Sequence, residues 1–301
     1  MKHPWTVLMC LLTTAAASQF LIKQIGFESA GAIYCKLWES ILSLFGHSHV
    51  LIFTAGTMLS LGLPFWILNA FFVYVDLTAK PSFVKKFKIQ PDKNFPVEWK
   101  MVKKCISVVN KNQLISTVMI LLLYPATKRF GMTYLVEDLP TFSKLLQQLI
   151  LFVVLQEIGF YYLHRMMHYP LLYKRIHKVH HEWTAPISLA VVYVHPIEHV
   201  IVNMIPILLS PILIGAHIST TWLWYVLATY YSTVHHSGYH FPFMPSPEFH
   251  DYHHKTFTQC FGVLGFLDWI HDTSKEFRKT KIYDFDHMFF SFRPIWSDEQ
   301  K

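Results

Sequence analysis

The sequence predicts an all-α integral membrane protein: a helical bundle with a cytosolic cap carrying histidine boxes. Three observations lead there. Hydrophobic residues make up 52% of the 301 and charged residues only 15%, against roughly 25% charged in an average soluble protein. Such a chain has more apolar surface than its own core can hide, so lipid is its natural second solvent. Several stretches approach the roughly 20 apolar residues that a bilayer-crossing helix needs. Finally, the chain holds 19 His, with 14 of them between residues 164 and 254.

In chain order, Trp5 to Ile22 is a short apolar segment behind Lys2 and His3. Ala15-Ala16-Ala17-Ser18 offers the small residues of a cleavable signal. Because more spans follow, the segment reads as a retained anchor. Val50 to Val75 is the strongest span and ends at Asp76. Residues 79–112 then carry nine Lys against two acids, Asp92 and Glu98, so the whole formal excess of +7 is local. Lysines interleaved with Phe83, Phe87 and Trp99 can mark nucleic-acid binding. Between long apolar segments they read instead as a cytosolic loop under the positive-inside rule, with no nucleic acid as partner.

Leu114 to Ala126 is short, either a re-entrant turn or a span extended by polar residues. Leu145 to Tyr162 is a clearer span. Val200 to Ala216 and Ile218 to Val234 form an apolar pair, the first kinked by Pro206 and Pro211. Trp183, Trp222 and Trp224 read as interfacial anchors. Cys10, Cys35, Cys105 and Cys260 form no C-x-x-C and imply neither a disulfide framework nor a thiolate site. The chain thus divides into an N-terminal transmembrane anchor region (1–78), a basic cytosolic loop (79–112), a domain of spans and histidine boxes (113–275) and a cytosolic tail (276–301).

Charge sets the topology. With 79–112 in the cytosol, two segments between 114 and 162 return the chain there, and the pair 200–234 does so again. Residues 164–199 and everything after 235 then share one membrane face.

That face holds the histidines. They fall as His164-Arg-Met-Met-His168, His177-Lys-Val-His180-His181, His236-Ser-Gly-Tyr-His240 and His250-Asp-Tyr-His253-His254. Residues three or four apart share a helix face, so each group can aim two or three imidazoles at one point. The ten residues His164, His168, His177, His180, His181, His236, His240, His250, His253 and His254 are therefore the candidate metal ligands. That number, with few carboxylates, implies two ions. The pattern lacks H-E-x-x-H, which disfavours a zinc protease. Imidazole suits zinc, copper, iron and nickel alike. A site above apolar helices reaches lipids, whose C–H bonds are oxidised rather than hydrolysed, and that chemistry points to iron, with zinc able to substitute. His195 and Glu198 are each a candidate ligand, or a partner that orients one. Glu157, seven residues before His164 in an apolar span, is expected to accept a hydrogen bond from a ligand imidazole.

Residues 157–273 resemble the fatty acid hydroxylase/sterol desaturase superfamily, and most of all its C4-methylsterol oxidase branch. Beside the boxes above, Tyr173-Lys174-Arg175-Ile176 before His177, Glu182-Trp183-Thr184-Ala185-Pro186 after His181, His195-Pro196-Ile197-Glu198-His199 and Ser246-Pro247-Glu248-Phe249 carry the likeness. The resemblance implies a di-iron centre, O2 as co-substrate, electrons from NAD(P)H through cytochrome b5 and its reductase, and the endoplasmic reticulum membrane. The chain departs from the methylsterol oxidases at His240, where they tend to have Asp, and at Phe249, where they tend to have His. Three function classes follow: a sterol-like lipid oxidase, a fatty acyl or sphingolipid hydroxylase, and a catalytically silent metal-binding regulator.

Overall fold

The computed structural model describes residues 28–293, which form helices with no β-strand among them. The Trp5–Ile22 segment and the end of the tail lie outside the described residues. The principal helices are α1 (Glu28–Leu44), α2 (His49–Thr78), α3 (Trp99–Arg129), α4 (Phe142–Met167), α5 (Pro196–Leu213), α6 (Ile218–His235) and α7 (Glu248–Thr256). Helices α2 to α5 are each long and apolar enough to cross a membrane. Their outer faces keep large apolar side chains uncovered, such as Ile67 at 67% and Leu122 at 74% exposure, as helices bathed in lipid require.

One long helix replaces the expected loop end and short segment around residue 112. No Gly or Pro interrupts the chain between Trp99 and Tyr124, so the helix starts at Trp99. Val102, Cys105, Val109 and Asn112 turn inward at helical spacing while Lys100, Lys103, Lys104 and Lys111 face out. Amphipathic periodicity therefore carries a basic stretch into the helix. The span at 114–126 is its apolar continuation.

Two of the spanning helices contain wide π turns, at Ile52–Gly56 and at His199–Met204 just before Pro206. The first brings Gly56 against the Trp222 ring, where even a Cβ would lie 1.9 Å from a ring carbon. Trp222 thus packs inside the bundle. Trp183 and Trp224 are buried as well, and Trp224 donates to the Ile207 carbonyl. The interfacial role expected for these three is not seen, because each fills space between helices.

The rest of the basic stretch, residues 79–98, lies against the histidine cap. Lys88 forms a buried ion pair with Asp76 at 2.8 Å, and the Tyr239 hydroxyl donates to the same carboxylate oxygen at 2.7 Å. Gln90 donates to Asp251 at 2.7 Å, and Asn94 to the Ala185 carbonyl at 3.0 Å. The ion pair is buried with its hydrogen-bond partner, the condition under which burying charge is tolerable. It fastens the end of α2 to the loop after α6, so the basic segment and the cap share one end of the bundle.

Candidate metal centre

Nine of the ten candidate ligands converge in two groups: His164, His168, His177, His181 and His253 in the first, and His180, His236, His250 and His254 in the second. Within each group the ligand atoms lie within 4.8 Å of one another, close to twice a metal–imidazole bond of roughly 2.1 Å. The chain builds the groups by sharing its boxes. His164 and His168 close α4. Residues His177–Glu182 form a 3₁₀ helix rather than an α-helix, and it sends His177 and His181 to the first group and His180 to the second. Helix α7 does the reverse, giving His250 and His254 to the second and His253 to the first. His236 caps α6.

Most of these rings have one nitrogen committed to protein oxygen. His164 Nδ1 donates to the Phe261 carbonyl at 2.7 Å and His253 Nδ1 to the Gln259 carbonyl at 2.7 Å. His177 Nδ1 donates to Glu198 at 2.8 Å. In the second group, His236 Nδ1 donates to the Ser232 carbonyl at 2.8 Å and His254 Nδ1 to the Trp183 carbonyl at 2.9 Å. With the proton held at Nδ1, Nε2 keeps its lone pair. Yet His164 and His177, both with Nδ1 committed to oxygen acceptors, bring their Nε2 atoms to 3.2 Å. Lone pairs this close repel unless a cation lies between them, so the donor set fits metal ions. Burial, and then the neighbouring imidazoles, depress the histidine pKa values. His180 is pushed down to about 3, and His177, His181, His250, His253 and His254 stay well below the ordinary value. The groups therefore present neutral, metal-ready rings.

His240 does not join either group. Helix α6 stops at His235, and Gly238 turns the chain with φ +72°. The H-x-x-x-H spacing here crosses a turn and does not define a helix face. His240 Nε2 donates to the His287 carbonyl at 3.1 Å, and Nδ1 lies 3.3 Å from Glu248. A Cβ at Gly238 would also press to 3.0 Å from the Pro186 carbonyl oxygen, so the turn is both conformational and steric in origin.

His195 also stands apart, half-buried as the cap of α5, accepting from the Ile197 amide at 3.2 Å. Proline at the next position starts a helix there, and the ring serves its open amide. Glu198 reaches the first group through His177. Glu157 touches no imidazole. It accepts from the amides of Val263 and Leu264, each at 2.8 Å. Asp268, which the sequence did not single out, accepts from the amides of Phe261 at 2.8 Å and Gly262 at 2.6 Å. These two buried carboxylates clamp the loop whose Phe261 carbonyl holds His164. A Cβ on Gly262 would come within 2.7 Å of both. Backbone carbonyls carry no sequence signal, so this layer was not readable beforehand.

A cavity of about 460 Å³ lies among α2 to α6, within the roughly 300–1,000 Å³ range of small-molecule sites. Apolar side chains such as Phe65, Ile120, Val153 and Trp224 line most of it. At one end it meets both groups, through His164 and His177 of the first and His180, His236 and His250 of the second.

A family model described as Fatty acid hydroxylase matches residues 149–273. The chain is 42% identical over 268 residues to fatty acid hydroxylase domain-containing protein 2 of Homo sapiens, covering 89% of this chain and 80% of that protein. It is 38% identical over 208 residues to fatty acid hydroxylase ahd1 of Mycosarcoma maydis, covering 69% and 54%. It is 32% identical over 223 residues to methylsterol monooxygenase 2-2 of Arabidopsis thaliana, covering 70% and 81%. No solved structure matches the chain.

Proposed function

The chain belongs to the fatty acid hydroxylase family, and from that premise we propose that it is a membrane di-iron oxidase that uses O2 to hydroxylate a sterol-like lipid. A C4-methylsterol of sterol biosynthesis is the substrate we favour. The observation that carries the reading is the meeting of two imidazole groups at the end of a largely apolar cavity between spanning helices. The first group would hold one ion and the second the other. Iron there supplies the redox chemistry with dioxygen that oxidation of an unactivated C–H bond demands.

The chain's own residues do the rest. The carbonyls of Phe261, Gln259, Trp183 and Ser232 fix ring orientation and tautomer. Glu198 raises the basicity of His177 through the bond at Nδ1. The apolar walls exclude water and align the lipid, so that one carbon of it rests against the imidazole groups. Electrons would come from NAD(P)H through cytochrome b5 and its reductase. The basic segment beside the cap supports a cytosolic face for it, and the membrane we favour is the endoplasmic reticulum.

Metal analysis of protein purified without added zinc tests the centre. About two iron ions per chain are expected, and one ion or none refutes the di-iron reading. Lipid profiling of a deletion strain tests the substrate: accumulation of 4-methylsterols supports it, whereas loss of 2-hydroxy acyl chains transfers the assignment to a fatty acyl or sphingolipid hydroxylase.

A further inference from the structure

The imidazole groups have a second side. The cavity meets them through His164, His177, His180, His236 and His250, whereas His168, His181 and His253 of the first group are not among its walls. Eight of the nine grouped histidines are buried, and the ninth, His168, is only half-buried. The first group thus comes nearest to solvent at a ligand that does not face the cavity. Two half-buried rings cover it there. Tyr173 lies against both His168 and His181, with ring centroids 5.7 and 5.9 Å apart, and Phe257 lies against His181 at 4.7 Å. Tyr173 and Phe257 meet each other at 6.2 Å. One layer of aromatic side chains separates these ligands from the surface.

The surface over that layer is built from the chain between two histidine boxes. Pro170 starts a short helix, Pro170–Arg175, that links His168 to His177. Tyr169 and Leu171 are exposed at its start, and Lys174, Arg175 and Lys178 are exposed at its end and just beyond. No Asp or Glu occurs from Ile158 to His181. The next acid, Glu182, is taken by Lys104 at 2.7 Å. An apolar centre beside a rim of one charge suits a transient protein interface. The location suits electron delivery. Hydroxylating a C–H bond with O2 takes up two electrons and two protons and gives the alcohol and one water. A one-electron carrier delivers the electrons in two visits, its own cofactor losing one at each. With lipid in the cavity, the carrier has to approach from the other side.

We propose that Tyr169, Leu171, Lys174, Arg175 and Lys178 form the docking face for an acidic one-electron carrier protein, which approaches the first imidazole group over Tyr173 and Phe257. The docking face rests on the oxidase reading for its purpose, whereas docking itself is measured as binding. Anionic lipid headgroups also suit lysine and arginine, but they carry no electrons and need no access to His168. The coincidence of the basic rim with the one half-buried ligand favours a redox protein.

Binding to the full-length protein in neutral phosphatidylcholine nanodiscs decides the matter. The protein is loaded with zinc, so that no electron moves, and titrated with the acidic soluble haem domain of cytochrome b5 and, separately, with the basic cytochrome c. The acidic domain is expected to bind and the basic one not, with affinity falling as salt rises. Combining Lys174→Glu, Arg175→Glu and Lys178→Glu should weaken binding at least about tenfold at unchanged metal content. If the triple variant fails to fold, Arg175→Gln and Lys178→Gln, each weakening binding by about two- to threefold, carry the test. Lys85→Glu, exposed on the basic segment, should change binding by less than about twofold. With iron in place, the same variants should slow reoxidation of the reduced haem domain in the same order. No binding at low salt, binding indifferent to the three charges, or an equal loss in Lys85→Glu overturns the docking face. So does a face whose charges govern binding of dihexanoyl phosphatidylserine but not of the haem domain. A protein that docks the haem domain through these charges and never reoxidises it keeps the face and loses the oxidase reading. One that hydroxylates a lipid at a rate untouched by the three substitutions does the opposite.

Discussion

The two imidazole groups share a plan. Each takes an i, i+4 pair from one H-x-x-H-H box and the middle histidine of the other: His177, His181 and His253 on one side, His250, His254 and His180 on the other. Each adds histidines from the end of a long helix. The first group gains two, because α4 continues through Met167 and His164 and His168 remain near one face. The second gains only His236, because α6 has ended and Gly238 turns the chain away. The supports differ too. The first group leans on a loop clamped by Glu157 and Asp268 and on Glu198, the second on carbonyls of Ser232 and Trp183. Identical spacing thus yields a shared face only where a helix underlies it.

The largest effects should come from removing one ligand on each side. His181→Ala strikes the first group and His250→Ala the second. Each should cost about one metal ion per chain and lower lipid oxidation by more than about 100-fold. Metal content by elemental analysis, with turnover measured in parallel, checks this. If either variant keeps two ions and full turnover, the two-group description is wrong.

The next test separates the groups by their supports. Glu198→Gln weakens the partner of His177, and Asp268→Asn loosens the loop behind His164. Both should reduce metal affinity by roughly 10–100-fold in the first group only. Stepwise chelation should then release one ion early and leave the other as in the unaltered protein. Release of both ions together would show that the groups are not independent.

Acid should act on both groups, and the sign follows from the depressed histidine pKa values. Unfolded histidines titrate near 6.5, whereas His180 is pushed down to about 3 by burial and by its neighbours. Between those values the unfolded chain binds protons that the folded chain refuses. Stability of the metal-free protein is therefore complete above about pH 6.5 and is lost as pH falls toward about 3. Thermal melts at pH 7.5 and 5.5 should show a lower Tm at the acid value. Equal Tm values would contradict the burial that makes these rings neutral.

How much of this was legible in the sequence depends on which layer is considered. The all-helical class and the nine histidines that cluster in two groups follow from periodicity and spacing, because side chains announce themselves. The start of α3 was obscured because lysines suggested a loop, although Val102, Cys105 and Val109 already carried the inward period. Glu157 was visible as a costly buried carboxylate, but its partners are backbone amides of a loop more than 100 residues away. His195 looked like a ligand beside Glu198 because capping and coordination use the same residue type. Supports made of backbone carbonyls leave no mark on composition.

The smallest effect concerns His240, where spacing and structure part. By symmetry with His168 it should complete the second group. Its ring instead donates from Nε2 to the His287 carbonyl, with Nδ1 3.3 Å from Glu248, the first residue of α7. It is nearly inaccessible to solvent, and burial pushes its pKa down to about 4 against the opposing pull of the His287 carbonyl. A neutral ring in that place ties the tail to the helix that carries His250, His253 and His254. His240→Ala should therefore leave two ions bound and oxidation within a few-fold of normal, while costing about 1–3 kcal/mol of stability for the partners left unpaired. Melting temperature and metal content, taken on the same preparation, distinguish the outcomes. A lower Tm at full metal content identifies a tie between tail and helix. Loss of one ion would mean that the turn at Gly238 opens to deliver a tenth ligand, and the two groups would then be equal in number after all. Gly238→Ala sharpens the point: φ +72° and the close Pro186 carbonyl make it destabilising by roughly 1–2 kcal/mol. Because His236 precedes the turn and is held by Ser232, even that variant should keep the second ion.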